Sequence, residues 1–135
     1  MWKRVSVFCF LGVHIEEKLT WDKNTPQVVK KAQQRLHFLR ILRKNNISQR
    51  LLVSFYRSTM ESILTYCLCT WFASCTVANR KELQRVTNMA EKVIGCPLPT
   101  LKDFHGSYCF RRANTIPKDS FHPGHFLFEP LPSGR

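Results

Sequence analysis

Three segments of this chain repeat their apolar residues every three or four positions, and each is bracketed by helix start and stop signals. Three such stripes must be buried against one another, which predicts a helical bundle. In the first segment Val29, Ala32, Leu36, Leu39 and Leu42 share one face. Thr25 is its expected cap, Pro26 occupies the first turn where a missing N–H costs nothing, and Asn45-Asn46 stops it, giving a helix over residues 25–44. In the second, Ser48 caps a stripe of Leu52, Phe55 or Tyr56, Met60, Ile63, Leu64, Cys67 and Trp71 that frays between Leu68 and Ser74. In the third, Asn79 and Glu82 form an expected capping box ahead of Leu83, Val86, Ala90, Val93 and Ile94, and Gly95 ends it before Cys96-Pro97.

The flanking sequence is different in kind. Val5-Ser6-Val7-Phe8-Cys9-Phe10-Leu11 is β-rich, Gly12 allows a bend, Val13-His14-Ile15 resumes the alternation, and Asp22-Lys23-Asn24 is turn material. After the bundle, short helices are expected around residues 100–104 and 108–116, and four prolines with two glycines make residues 117–135 an extended tail. His122-Pro123-Gly124-His125 is a turn within it. The organisation is thus strands over 1–24, a helical unit over 25–95, short helices over 96–116 and the tail. The fold class is mainly α: a short N-terminal hairpin followed by a three-helix bundle, and 135 residues suffice for one core.

No convincing membrane span exists: the longest uncharged stretch, residues 62–79, is short and rich in Ser, Thr and Cys. Lys3-Arg4 followed by apolar residues imitates a secretory leader, but His14-Ile15-Glu16-Glu17-Lys18 follows without a small-residue cleavage site. The expectation is an intracellular protein, nuclear or cytoplasmic and not secreted. Six cysteines lack regular spacing, and reduced thiols fit them better than three disulfides.

Charge gives the strongest functional signal. The net charge is +12, and residues 23–60 contain no acidic residue while holding Lys23, Lys30, Lys31, Arg35, Arg40, Arg43, Lys44, Arg50 and Arg57. Spaced one helical turn apart, Lys31 with Arg35 and Arg40 with Lys44 are expected to form a basic ridge, interleaved with Gln33, Gln34, His37 and Phe38. Such a ridge tracks a phosphate backbone and binds with strong salt dependence. Arg35, Arg40, Arg43 and Lys44 are the main expected contacts, with Lys30, Lys31, Arg50 and Arg57 supporting. Trp21 and Phe38 are candidates for stacking on bases. Trp21, with Trp71 and Phe72, has an equally simple reading as core packing at helix ends. The expected partner is RNA, DNA or an RNA–DNA duplex, with no membrane.

Catalytic chemistry finds little support. Metal-dependent phosphoryl transfer needs converging carboxylates, whereas the adjacent pair Glu16-Glu17 points to opposite faces of a strand. No HxD iron triad, phosphate-cradling glycine loop or Ser/His/Asp arrangement is present, so no catalytic residue, cofactor or metal is assigned. Cys96, His105 and Cys109 are only faintly like part of a zinc knuckle and require a fourth ligand such as Cys75.

Phe10-Leu11-Gly12-Val13-His14-Ile15, Leu19-Thr20-Trp21, Val29-Lys30-Lys31-Ala32-Gln33-Gln34-Arg35-Leu36 and Phe38-Leu39-Arg40 resemble the post-palm part of non-LTR (LINE-type) retrotransposon reverse transcriptases, of the kind found in fish genomes. Phe55-Tyr56-Arg57, Glu61-Ser62-Ile63-Leu64, Trp71, Leu83-Gln84-Arg85-Val86, Arg111-Arg112-Ala113-Asn114, His122-Pro123-Gly124-His125 and Leu131-Pro132-Ser133-Gly134-Arg135 continue the match in order. This implies a grip-side hairpin over residues 10–15 and a thumb bundle over 25–95 that holds template–primer. The family's palm aspartates are missing, so the resemblance implies a remnant without polymerase activity. The segment from Val29 to Arg40 is also similar to the short N-terminal helix of the AlkB-homologue tRNA-modifying dioxygenase–methyltransferases. That similarity covers a basic helix alone, without iron triad or methyl-donor pocket. A third reading makes the chain an interaction protein that self-associates through apolar helix faces left uncovered.

Overall fold

A computed structural model describes residues 4–129 and 132. Met1 to Lys3, and the closing Leu131, Ser133, Gly134 and Arg135 of the reverse-transcriptase-like tail, lie outside the described residues. Strands β1 (Val7–Phe10) and β2 (Val13–Glu16) pair antiparallel with Val7 opposite Glu16 and Phe10 opposite Val13. Helices α1 (Asn24–Lys44), α2 (Gln49–Phe55), α3 (Ser62–Thr65), α4 (Leu68–Trp71), α5 (Val77–Ile94) and α6 (Leu101–Thr115) follow. The architecture is the expected one, mainly helical behind an N-terminal hairpin.

The hairpin turns on Leu11 and Gly12, at φ 48° and 84°. Two consecutive left-handed residues make the tight turn whose twist matches paired strands. Gly12 takes that conformation freely, while Leu11 is held there by Tyr66, whose hydroxyl donates to the Leu11 carbonyl at 2.8 Å. Glu16 joins the hairpin to α1, accepting hydrogen bonds from Thr20 Oγ1 at 2.8 Å and the Lys23 amide at 2.6 Å.

The core is the sum of the predicted stripes. Val29, Ala32, Leu36 and Leu39 of α1 are buried against Leu83, Val86, Ala90 and Ile94 of α5 and against Leu52, Tyr56, Met60 and Leu64. Fully burying each large aliphatic side chain here stabilises the fold by about 1.5–3 kcal/mol.

Between α2 and α3 the chain makes one π-helical turn, Tyr56–Glu61, and the sequence explains why. The buried residues Leu52, Tyr56, Met60 and Leu64 of this continuous stretch recur every fourth position. At 3.6 residues per turn that row drifts about 40° around the helix at each step. One wider turn absorbs the extra residue and keeps the row on the core. Hydroxyls satisfy neighbouring carbonyls: Ser54 donates to Arg50, Ser58 to Ser54 and Ser62 to Ser58 at 2.9–3.1 Å.

Several expected boundaries are corrected. Helix α1 begins at Asn24, with Thr25 buried inside its first turn beside Cys75 instead of capping from outside. Cys67 leaves the apolar face: it adopts a left-handed φ of 53°, is exposed, and separates α3 from α4, while Leu68 takes the core position. The cap of α5 is Thr76, whose hydroxyl accepts from the Asn79 amide at 3.2 Å, so Asn79 lies within the helix. Gly95 ends α5 as expected, at φ 82°. The two short helices merge into α6, which runs straight through Gly106, and its capping box is Thr100 with Asp103. The tail's described residues combine extended backbone, at Asp119 and Phe128, with short turns. The turns are 3₁₀ at Ile116–Lys118 and His125–Leu127, and the turn at His122 is closed by the His125 amide at 2.9 Å.

Candidate nucleic-acid interface

Helix α1 presents the charged site. Lys30, Lys31, Arg35, Arg40, Arg43 and Lys44 are all exposed, as are Arg50 on α2 and Arg57 on the π turn. Among the described residues the ion pair is Arg4 with Glu17 on the hairpin, so no carboxylate lies within salt-bridge distance of the α1 cations.

The expected single ridge is not formed. Lys31 and Arg35 are one turn apart, as are Arg40 and Lys44, but the pairs are offset by nine residues. Nine residues span about two and a half turns, so the pairs leave α1 on opposite flanks. The Lys31 flank borders a cavity shared with Val28, the Leu11–Gly12 turn, Ser62, Ile63 and Tyr66. Lys30 and Gln34, one turn apart, lie between the flanks on the outward side. Arg43 and Lys44 fall in the last turn of α1, where cations also offset the partial negative charge of the helix end. Arg57 is beside Glu61; burial raises the Glu61 carboxyl above its ordinary value, and the Arg57 charge partly opposes that rise.

The stacking candidates separate. Trp21 is buried at 5% exposure, so the core-packing reading describes it and no ring face is open to a base. Phe38 is about half exposed, with the His37 ring 6.0 Å away. Trp71 is fully buried, its indole N–H donating to the Tyr66 carbonyl at 3.0 Å, and Phe72 is covered by the Arg80 guanidinium at 5.2 Å.

A second basic surface escapes a reading of the sequence alone. Lys81, Arg85 and Lys92 are exposed on α5, and spacings of four and seven place them on one line opposite its buried residues. Gln84 and Asn88 are joined beside it by a 2.9 Å hydrogen bond. The same periodicity that reveals the apolar stripe of α5 contains this ridge. The acid-free run draws attention elsewhere because Glu82 and Glu91 interrupt α5 in sequence but not along that line.

The zinc-like set is also rearranged. Cys109 Sγ lies 3.4 Å from His105 Nε2, and the nearby thiol is Cys69, with sulfurs 3.7 Å apart. Cys75 is buried, 3.4 Å from the Thr25 hydroxyl. Among the described residues no group of three or more His, Cys, Asp or Glu side chains is arranged to hold a metal ion. No helix among them is long and apolar enough to cross a membrane. Exposed apolar side chains include Phe8, Phe10 and Leu11 on the hairpin and Phe110, Phe121 and Phe126 in the C-terminal part. They lie outside the bundle, while others such as Ile41 and Leu51 lie on its helices.

Residues 21–62, under a third of the chain, match the family model described as "Alkylated DNA repair protein alkB homolog 8, N-terminal". The matched span contains α1, α2 and the π turn, and so all of the acid-free run. No curated protein and no solved structure matches the chain.

Proposed function

We propose that this protein is a non-catalytic helical module that binds the nucleic-acid backbone, with α1 spanning two phosphate strands. The observation that carries this reading is the acid-free α1 surface, with cations on both flanks and no carboxylate in salt-bridge reach among the described residues. Two flanks suit two strands better than one. The midpoints of the Lys31/Arg35 and Arg40/Lys44 pairs lie about 14 Å apart along the axis, so a helix laid obliquely across a groove meets one strand near each end. The family match falls on this same segment, which makes a likeness to the N-terminal part of an AlkB homologue the coarser reading of it. It gives no ground for oxidation or methylation, since the sequence has no HxD triad and no evident methyl-donor pocket.

The reverse-transcriptase thumb is the second reading. It is favoured by the order of hairpin and bundle, with the Phe10–Ile15 segment forming a β-turn-β directly before a basic helix. Both readings assign α1 to phosphate contact.

The test is a fluorescence-anisotropy titration of labelled DNA, RNA and RNA–DNA duplexes over a range of salt. The logarithm of affinity is expected to fall linearly with log salt. Neutralising Lys31 and Arg35 to Gln, or Arg40 and Lys44 to Gln, is expected to flatten the slope by about two units for either pair, and by nearly four for both. Loss confined to one nucleotide sequence, or a slope indifferent to both pairs, overturns the assignment.

A further inference from the structure

Three features stand outside the proposed interface: the groove between Phe72, Val77, Lys81 and Lys102, the exposed apolar hairpin turn, and a thiol cluster where α4 meets α6. The groove's aromatic ring is already covered by Arg80, and nothing fixes what would cover the hairpin. The thiol cluster carries a definite chemistry.

Cys69 in α4 and Cys109 in α6 stand 40 residues apart in sequence, yet their sulfurs are 3.7 Å apart. His105, one turn before Cys109 on α6, places Nε2 3.4 Å from the Cys109 sulfur. Arg112 and Arg111 line the same surface depression as Cys69 and Tyr108. Cys69 is exposed and Cys109 half-buried, so a small oxidant reaches the pair. The other four cysteines have no such arrangement: Cys75 is buried, and Cys9, Cys67 and Cys96 have no sulfur partner among the described residues.

We propose that Cys69 and Cys109 are a peroxide-oxidisable dithiol, with His105 as the base that activates Cys109, and that their disulfide locks α6 onto the bundle. The Cys109 thiol gives its proton to His105 Nε2. The thiolate attacks hydrogen peroxide, so an S–O bond forms and the O–O bond breaks. The departing hydroxide takes the proton from the imidazolium and leaves as water, with Cys109 now a sulfenic acid. The Cys69 sulfur then attacks the Cys109 sulfur, the S–S bond forms and the S–O bond breaks. The released hydroxide removes the Cys69 proton as a second water. Two thiols lose two electrons and one peroxide gains them.

The order of attack follows from the surroundings. His105 Nε2 stands beside the Cys109 sulfur, which makes Cys109 the first to react, while loss of water around its sulfur, with the adjacent Cys109 sulfur as the next cause, pushes the Cys69 thiol up. Closing the gap to a disulfide needs a movement of under about 2 Å, within the reach of one rotamer change. Helix α4 has only four residues, Leu68–Trp71, and a crosslink fixes it to the fifteen-residue α6.

The experiment treats the full chain with stoichiometric hydrogen peroxide and maps thiols by mass spectrometry under non-reducing conditions. Expected is a mass loss of about 2 Da in the monomer, a Cys69–Cys109 linked peptide, and a melting temperature higher by about 5–15 °C that reverts with reductant. In C69S, dimedone is expected to trap a sulfenic acid on Cys109. H105N is expected to form the same disulfide about tenfold more slowly. A different pairing, an intermolecular crosslink, or a monomer whose Cys69 and Cys109 remain reduced overturns the proposal. An unchanged rate in H105N removes the base role. The thiol map needs no nucleic acid, so it stands or falls apart from the α1 interface.

Discussion

Glu16 and Glu61 show how differently two carboxylates on one small fold respond to acid. The Thr20 hydroxyl, then the Lys23 amide, hold Glu16 below the ordinary value of 4.5. A depressed carboxylate contributes stability that is present above its unfolded pKa and disappears as pH falls through the folded one. Glu61 is the reverse case, raised above 4.5 chiefly by burial. Its contribution is present below the unfolded pKa and is lost as pH rises through the folded value, so at neutral pH its charge works against the fold. Urea melts at pH 7 and pH 3 separate the two. E16Q is expected to lower the midpoint at pH 7, with the deficit shrinking below about 4.5, while E61Q is expected to raise it at pH 7 and to match the parent in acid. At the same scale, Leu39 is fully buried between α1 and its neighbours, and L39A is expected to cost about 2–5 kcal/mol of stability in the same melts.

At the scale of elements, the π turn is the device that lets α2 and α3 act as one core-facing helix. Deleting Ser58, an exposed residue inside that turn, leaves the row Leu52, Tyr56, Met60, Leu64 with steps of four, three and four, close to the α-helical repeat. The deletion variant is expected to fold, within about 1 kcal/mol of the parent. Deleting Asn88 from the regular α5 is expected to unfold the chain, because Ala90 and Ile94 then turn about 100° off the core. Circular dichroism and denaturant melts distinguish the two, and equal damage from both deletions removes the phase argument. The row of fourth residues is visible in the sequence, but choosing between a drifting α-helix and a π turn requires knowing that Tyr56, and not Phe55, takes the fully buried position. Other differences have equally local causes. Val77 is exposed and adds nothing to the stripe of α5, so nothing in the sequence marks Thr76 as its cap. Gly106 suggests a break, yet the roughly 1 kcal/mol that glycine costs inside a helix is small beside the burial of Leu101 with Phe104 and Tyr108 packed on the core.

At the scale of the whole molecule, the acid-free run announces a basic surface, and composition alone suffices to see it. Its division into flanks depends on the length of α1: only a helix unbroken through residues 31–44 puts pairs nine apart on opposite sides. The α5 ridge is hidden for a complementary reason, since its cations alternate in sequence with acids that point elsewhere. The two surfaces are also separated in space. Helices α1 and α5 bury facing stripes against each other, and Lys81, Arg85 and Lys92 lie diametrically opposite the stripe of α5. A short rigid duplex seated across α1 therefore cannot reach that ridge. Neutralising its three cations to Gln is expected to leave the salt slope on a 12-base-pair duplex unchanged. If those cations did sit on phosphates of the same duplex, the slope would flatten by nearly three units, at about 0.9 per charge. On a long polynucleotide, which can touch one protein molecule on α1 and another on α5, the same variant is expected to show lower binding density at low salt. A slope that drops on the short duplex would place the ridge at the backbone and overturn the separation of the two surfaces.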